Sequence, residues 1–268
     1  MPDITINPAL IIHFEIHNAD EARTVLLLHG LGANSESWAL QIPELVNAGF
    51  RVIAPDARGF GKSTYPGGKH SIADMASDIH ILMNCLGISK YDVVGISMGG
   101  TIALQMAIDY PENINKLILV NTFARLRILR ISNLFYLATR MAQLYLVGLD
   151  PQARLVSKQL FPLEEQEMYR TILYQQIMQS NLRGYRNSVQ ALARFNVTKD
   201  LGKLNLPTLV ISGSDDNTVP LRVQEQMTDH IPGSKHIIIN SAGHAVTVEK
   251  PEKFNKTLIN FLLNQDYT

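Results

Sequence analysis

Ser97 stands at the centre of Gly95-Ile96-Ser97-Met98-Gly99, between an apolar run (VVGI) and a segment of helical spacing (GGTIALQMA). Glycine two residues to either side marks a backbone bent so sharply that neighbouring Cβ atoms would collide, a costly way to place an ordinary hydroxyl. Strand, G-x-S-x-G turn and helix in that order form a nucleophile elbow, which presents the serine Oγ at the edge of a sheet. The plainer alternative is a serine that only caps the next helix. A serine hydroxyl attacks a carbonyl when a base removes its proton, so the elbow reading requires a histidine, and the histidine requires a carboxylate to hold its tautomer. Both residue types follow along the chain. LVISGSDDNTVP sets Asp215 and Asp216 just beyond one apolar strand, and IIINSAGHAVTVE sets His244 just beyond the next. The C-terminal ends of parallel strands share one edge of a sheet, so these residues can converge from distant positions. The histidines at 13, 17, 70, 80, 230 and 236 lack such a setting and read as structural or solvent-facing.

The elements that must bring these groups together are legible as alternation. LIIHFEIH, TVLLLHG, FRVIAPD, YDVVGIS and KLILVNT read as strands; SWALQIPELVNAG, IADMASDIHILMNCLG and GGTIALQMAIDY read as helices between them. Strand and helix in turn predict an α/β domain with a mostly parallel sheet flanked by helices on both faces. LIIHFEIH and TVLLLHG have no helix between them, which predicts an antiparallel hairpin at the edge. From Thr122 to about Phe195 the pattern is helical only, with Leu134, Leu137, Met141 and Leu144 at three- and four-residue spacing. Strand and helix then resume with LPTLVISGS, a helix from Pro220, KHIIINSAG and a last helix from Pro251. The reading is one α/β core, residues 1–123 and 196–268, interrupted by a helical insertion at 124–195.

A chain of 268 residues, 46% apolar and 18% charged with equal numbers of acidic and basic residues, has the composition of a globular domain and no overall attraction to nucleic acid. Cys85 is the only cysteine, which excludes an internal disulfide, and its place in DIHILMNCLGI predicts a buried, inert thiol. The N-terminal stretch carries acidic residues where a signal peptide needs basic ones, and no run reaches a membrane span. A cytoplasmic setting is expected. No His/Cys cluster suggests a metal site, and no cofactor is expected.

HGLG from His29, PDARGFGKS from Pro55, GISMGG from Gly95, SGSDDNTVP from Ser212 and SAGH from Ser241 occur together and in order; this combination resembles the α/β-hydrolase superfamily over nearly the whole chain. The family pattern after the late strand, glycine, two variable residues, aspartate, three variable residues, proline, selects Asp216 over Asp215. The resemblance implies a triad of Ser97, Asp216 and His244, with an oxyanion hole made by the backbone NH groups of Leu31 and Met98. It gives His29 a supporting role in its loop, and Asp56, Arg58, Gly59, Gly61 and Ser63 a duty in loop geometry and ion pairing. Trp38 either lines the acyl pocket or packs the first helix.

The insertion resembles the family's cap over the active site. It holds nine Arg and one Lys against one Asp and three Glu, a formal charge of +6 on a scaffold of −6. Arg125, Arg127, Arg130, Arg140, Arg154, Arg183, Arg186 and Arg194 either decorate solvated faces or attract an anionic substrate, an acidic carrier or a lipid surface. The expected activity is hydrolysis of a carboxylic ester through an acyl-enzyme. A lactonase or enol-lactonase with the same triad is the alternative, although enol-lactonases often carry a cap tryptophan and this insertion has none. Carbon–carbon bond hydrolases of the family tend to have tryptophan after the catalytic histidine, where this chain has Ala245. A slow-turnover ligand receptor with the same fold is the alternative of another class.

Overall fold

The computed structural model describes residues 2–126 and 141–266. Eight strands form one sheet: β1 (Asp3–Asn7), β2 (Leu10–His17), β3 (Thr24–Leu28), β4 (Arg51–Pro55), β5 (Tyr91–Ile96), β6 (Ile114–Val120), β7 (Thr208–Gly213) and β8 (Lys235–Ile239). Their order across the sheet is β1-β2-β4-β3-β5-β6-β7-β8. The pairs β1/β2 and β2/β4 are antiparallel, and every other pair is parallel.

The predicted edge hairpin exists, but its partners differ from those expected. LIIHFEIH pairs with DITIN on one side and with β4 on the other, rather than with TVLLL. DITIN is short and alternates exposed with half-buried residues, so its apolar signal is that of an edge strand covered on one face. TVLLL, buried at all five positions, is drawn instead into the parallel centre, where both faces are covered.

The period-2 geometry of strands divides the core into two layers. Leu26, Val93, Leu117, Leu119 and Val210 face α2 (Ile72–Cys85) and α3 (Met98–Asp109). Leu27, Val94, Ile118, Val120 and Ile211 face α1 (Ile42–Asn47) and the C-terminal helix. The expected single helix SWALQIPELVNAG is two pieces, a 3₁₀ turn at Ser35–Trp38 and α1. Pro43 lacks an NH and is tolerated only in the first turn, so it starts a helix rather than continuing one. Helix α2 begins in a capping box, Ser71 with Asp74. Cys85, at its end, is exposed rather than buried, because the buried stripe of α2 runs through Ile72, Met75, Ala76, Ile79, Leu82 and Met83 and leaves position 85 on the opposite face.

Between β6 and β7 lie α4 (Leu149–Leu160), α5 (Glu167–Gln179) and α6 (Leu182–Arg194). At the base of this insertion the two connections run side by side, with Arg125 bridged to Asn196 and Val197 NH donating to Ala124 O at 3.0 Å. The inserted helices also grip the loop before α2. Asn181 NH donates to Gly59 O at 2.8 Å, and His70 Nε2 lies 3.0 Å from Ser188 Oγ. The expected stripe at Leu134 and Leu137, and Arg127, Arg130 and Arg140, lie outside the described residues; Leu144 is buried. After β7 follow α7 (Leu221–Asp229), β8, α8 (Val246–Glu249) and α9 (Pro251–Leu262). No helix among the described residues is long and apolar enough to cross a membrane.

Candidate active site

Ser97 has φ 54° and ψ −114°, a left-handed conformation that costs a residue with a Cβ about 1–3 kcal/mol. The turn leaves no alternative. A Cβ at Gly95 would lie 2.2 Å from Gly99 O, and one at Gly99 would lie 2.0 Å from Leu28 O. Ser97 NH donates to Val120 O at 2.9 Å, while Ser97 O accepts from Thr122 Oγ1 at 2.7 Å and from Thr101 NH at 3.1 Å. The strained residue is therefore clamped by β6 behind it and α3 ahead of it. Met98 is the first residue of α3, where the helix provides no acceptor for a backbone NH and the helix dipole favours negative charge.

Asp216 and His244 extend from the loops after β7 and β8. His244 Nδ1 donates to Asp216 Oδ2 at 2.9 Å, and the Asp216 side chain is sealed from solvent. Asp216 Oδ1 accepts from Thr218 NH at 2.8 Å and Val219 NH at 2.9 Å. With Nδ1 committed to the carboxylate, Nε2 is the nitrogen left to accept a proton. Asp215 is exposed and accepts from Ser214 Oγ at 2.8 Å, so the acid that meets the histidine is Asp216.

Asn121, which the sequence reading passed over, ties the two loops together. Its Nδ2 donates to Gly243 O at 3.0 Å and His244 O at 2.8 Å, and its Oδ1 accepts from Gly213 NH at 2.9 Å. The residue is fully buried with φ 43°. An asparagine immediately after an apolar strand tolerates this left-handed turn, and that position was its one signal. A Cβ on Gly213 would lie 2.3 Å from Gly243 O, so the glycine lets the two loops approach.

The loop after β3 is shaped by His29. Its Nδ1 donates to Gly30 O at 2.8 Å and its Nε2 accepts from Ala57 NH at 2.9 Å. Burial holds its pKa below the ordinary histidine value against the opposing charge of Asp56, so the ring is neutral and serves as a brace. Asp56 accepts from Ser35 NH at 2.7 Å and Lys62 NH at 2.8 Å, and Gly61 leaves the space that its Oδ2 fills. Arg58 makes a forked pair with Asp78 at 2.5 and 2.6 Å. These contacts belong to loop geometry, as read from the sequence.

Ser97, His244 and Leu31 line one cavity of about 650 Å³ between the sheet edge and the inserted helices. This is the size of a small-molecule site. Its wall is mostly apolar, including Trp38, Phe123, Leu144, Leu173 and Val219. Trp38 does both things expected of it as alternatives, since it also packs in the core layer against α1. Gln176 lines the cavity with its Nε2 buried and without a hydrogen-bond partner among the described residues. Glu36 is the one ionic side chain among the described lining residues.

Three of the described arginines of the insertion bond away from the cavity. Arg170 donates to Phe161 O at 3.0 Å and Leu163 O at 2.7 Å; Arg186 donates to Leu144 O at 2.8 Å and Tyr145 O at 3.0 Å. Arg154 pairs with Asp150 at 3.0 Å on the surface. Among the described residues no group of three His, Cys, Asp or Glu side chains could hold a metal ion.

A serine on a strained turn, a histidine–carboxylate pair and a shared cavity are what acyl transfer requires. The comparisons with known proteins place the chain among hydrolases. The chain is 32% identical over 263 residues, 94% of its own length and 95% of the other's, to a protein named "Putative carbamate hydrolase RutD" from Caulobacter sp. (strain K31). It is 31% identical, over 97% of this chain and 96% of the other, to a 2-hydroxy-6-oxononadienedioate/2-hydroxy-6-oxononatrienedioate hydrolase of Comamonas testosteroni. A thermophilic esterase from Thermogutta terrifontis superimposes with a TM-score of 0.85 at 28% identity, covering 98% of this chain and 99% of that one. The family model described as the alpha/beta hydrolase fold matches residues 23–251, and the chain belongs to that family.

Proposed function

We propose that this hydrolase cleaves carboxylic esters through an acyl-enzyme, with residues 1–123 and 196–268 as the catalytic core and 124–195 as a cap over the cavity. The observation that carries the reading is the joint exposure of Ser97 and His244 to one apolar cavity, with His244 Nδ1 already bound by the buried Asp216. Ser97 Oγ attacks the ester carbon as His244 Nε2 takes its proton. The backbone NH groups of Leu31 and Met98 stabilise the oxyanion. Collapse expels the alcohol, which receives the proton from His244. Water then gives a proton to His244 and attacks the acyl carbon, and Ser97 leaves reprotonated with release of the acid. Asp216 stays ionised and steadies the imidazolium.

The apolar wall favours an acyl group without charge over the anionic substrate suggested by the arginine count. A second reading extends the same chemistry to carbamates or lactones, and the name of the Caulobacter relative supports the carbamate version. A cytoplasmic setting fits a chain with a single, unpaired cysteine. The test is a hydrolysis screen of esters, thioesters, lactones and carbamates graded by acyl length and charge, run beside Ser97→Ala. Sustained Ser97-dependent turnover of an ester supports the reading. One equivalent of product followed by arrest would favour the slow-turnover receptor, and a preference for carbamates or lactones would move the assignment to the second reading.

A further inference from the structure

Behind the triad carboxylate lies a line of polar side chains with no role in the steps above. Gln224, on α7, and Ser212, near the end of β7, are both fully buried. Gln224 Nε2 donates to Val219 O at 2.9 Å and to Asp216 Oδ2 at 3.3 Å. Ser212 Oγ donates to Gln224 Oε1 at 2.6 Å, and His236 Nε2 lies 2.7 Å from the same Oγ.

The chemistry of the neighbours fixes the direction of every bond. Val219 O and Asp216 Oδ2 are acceptors, so the end of the Gln224 amide that faces them must be the NH₂ group. Its carbonyl then faces Ser212, whose single hydroxyl proton must point to it. Ser212 Oγ therefore accepts from His236, which places the proton on Nε2 of that ring. The line runs from the half-buried His236 to Ser212, Gln224, Asp216 and His244 without a reversal. With Thr218 NH, Val219 NH and His244 Nδ1, Gln224 completes a set of four donors around the two oxygens of Asp216. Four donors match the four lone-pair positions of a carboxylate.

We propose that Gln224 is a positioning residue for ester hydrolysis, holding the Asp216 carboxylate in line with His244 Nδ1 while Ser212 and His236 lock the orientation of the amide. This rests on the assignment of Ser97, Asp216 and His244 as the triad. Asp216 shares Oδ2 between Gln224 and His244, so the amide supports the oxygen that orients the histidine. His236 donates from Nε2 whether neutral or protonated, so its titration beside Glu225 and Asp229 on α7 leaves the line intact.

Gln224→Met keeps the length of the side chain and removes both ends of the amide. It is expected to lower kcat for an activated ester about 10-fold with KM within about 2-fold, since misorientation acts on the transition state more than on binding. Gln224→Glu supplies the readout that a merely structural role would not move. At pH 8 the introduced carboxylate faces Asp216, and kcat/KM is expected to fall about 100-fold. As the pH drops toward 6 the introduced group takes up a proton, donates to Asp216 and still accepts from Ser212, so the ratio to wild type should rise. Ser212→Ala should cost about 3-fold, and it carries the test with Gln224→Met if the glutamate variant does not fold. Unchanged kcat in a folded Gln224→Met, or a variant-to-wild-type ratio for Gln224→Glu that is flat across this pH range, overturns the proposal. Full turnover by Ser97→Ala would instead remove the triad and the proposal together.

Discussion

At the C-terminal edge of the sheet, Gln224 uses both ends of its amide, whereas in the inserted helices Gln176, also buried, leaves its Nε2 without a partner among the described residues. A buried amide without its hydrogen bonds costs about 1–3 kcal/mol, a large fraction of a domain's net stability. The sheet edge avoids that cost because its loops run close together: the Asn121 amide is matched by backbone groups of Gly213, Gly243 and His244, and Asp216 by the NH groups of Thr218 and Val219. The inserted helices carry it at a position that lines the cavity. The difference separates a region built to hold one geometry from a region with hydrogen-bonding capacity to spare.

The sharpest break of this comparison is at the edge. Ser97→Ala should reduce ester turnover by about 10⁴-fold or more while the elbow keeps its fold, since alanine has a Cβ like serine but no oxygen. Thermal unfolding and a rate assay on the same preparation check both halves, and near-wild-type turnover would dismiss Ser97 as the nucleophile. Asp216→Asn should lower kcat by about 10⁴-fold by disturbing the His244 tautomer, whereas Asp215→Asn, at an exposed site, should change it less than about 3-fold. The reverse order would mean that the wrong acid has been assigned.

The junction between the two regions gives a pH test. Burial, with help from Arg58 and against Asp74, brings the pKa of His70 down to about 4. A histidine with a depressed folded-state pKa contributes stability that is complete above the unfolded value near 6.5 and is lost as pH falls toward 4. Because His70 lies against Ser188 of α6, this loss should loosen the insertion. Urea unfolding at pH 7 and pH 4.5 should show wild type losing on the order of 2 kcal/mol more than His70→Gln. Equal losses would show that this histidine does not govern the acid sensitivity.

Smaller effects are expected in the inserted helices. Gln176→Met should raise stability by about 1 kcal/mol, because it deletes an unpaired amide and keeps the packing volume, whereas Gln224→Met should lower stability. If Gln176→Met destabilises the protein instead, its amide is satisfied and the contrast fails. The smallest effect concerns charge: an ester with a remote carboxylate should match its neutral isostere within about 3-fold in kcat/KM at low salt, since the described arginines that bond carbonyls and Asp150 do not line the cavity. A larger preference that salt abolishes would restore a steering field from the insertion.

What could be read from the chain alone was whatever depends on neighbours in sequence. The elbow is local: two glycines, a serine, an apolar strand and a helix carry their geometry within fifteen residues, and the structure bears the strain out at Ser97. The parallel sheet was equally legible, because strands covered on both faces lose polar alternation. The edge pairing was not, since DITIN has too little apolar surface to announce a strand. The face of α2 that left Cys85 exposed is set by the helices and strands packed beside it. Asn121, Gln224 and Ser212 look in the sequence like ordinary polar residues near strand ends and on an amphipathic helix. Only the tertiary structure decided that they surround one carboxylate and one histidine loop, because their hydrogen-bond partners come from loops and strands that meet at the sheet edge after folding.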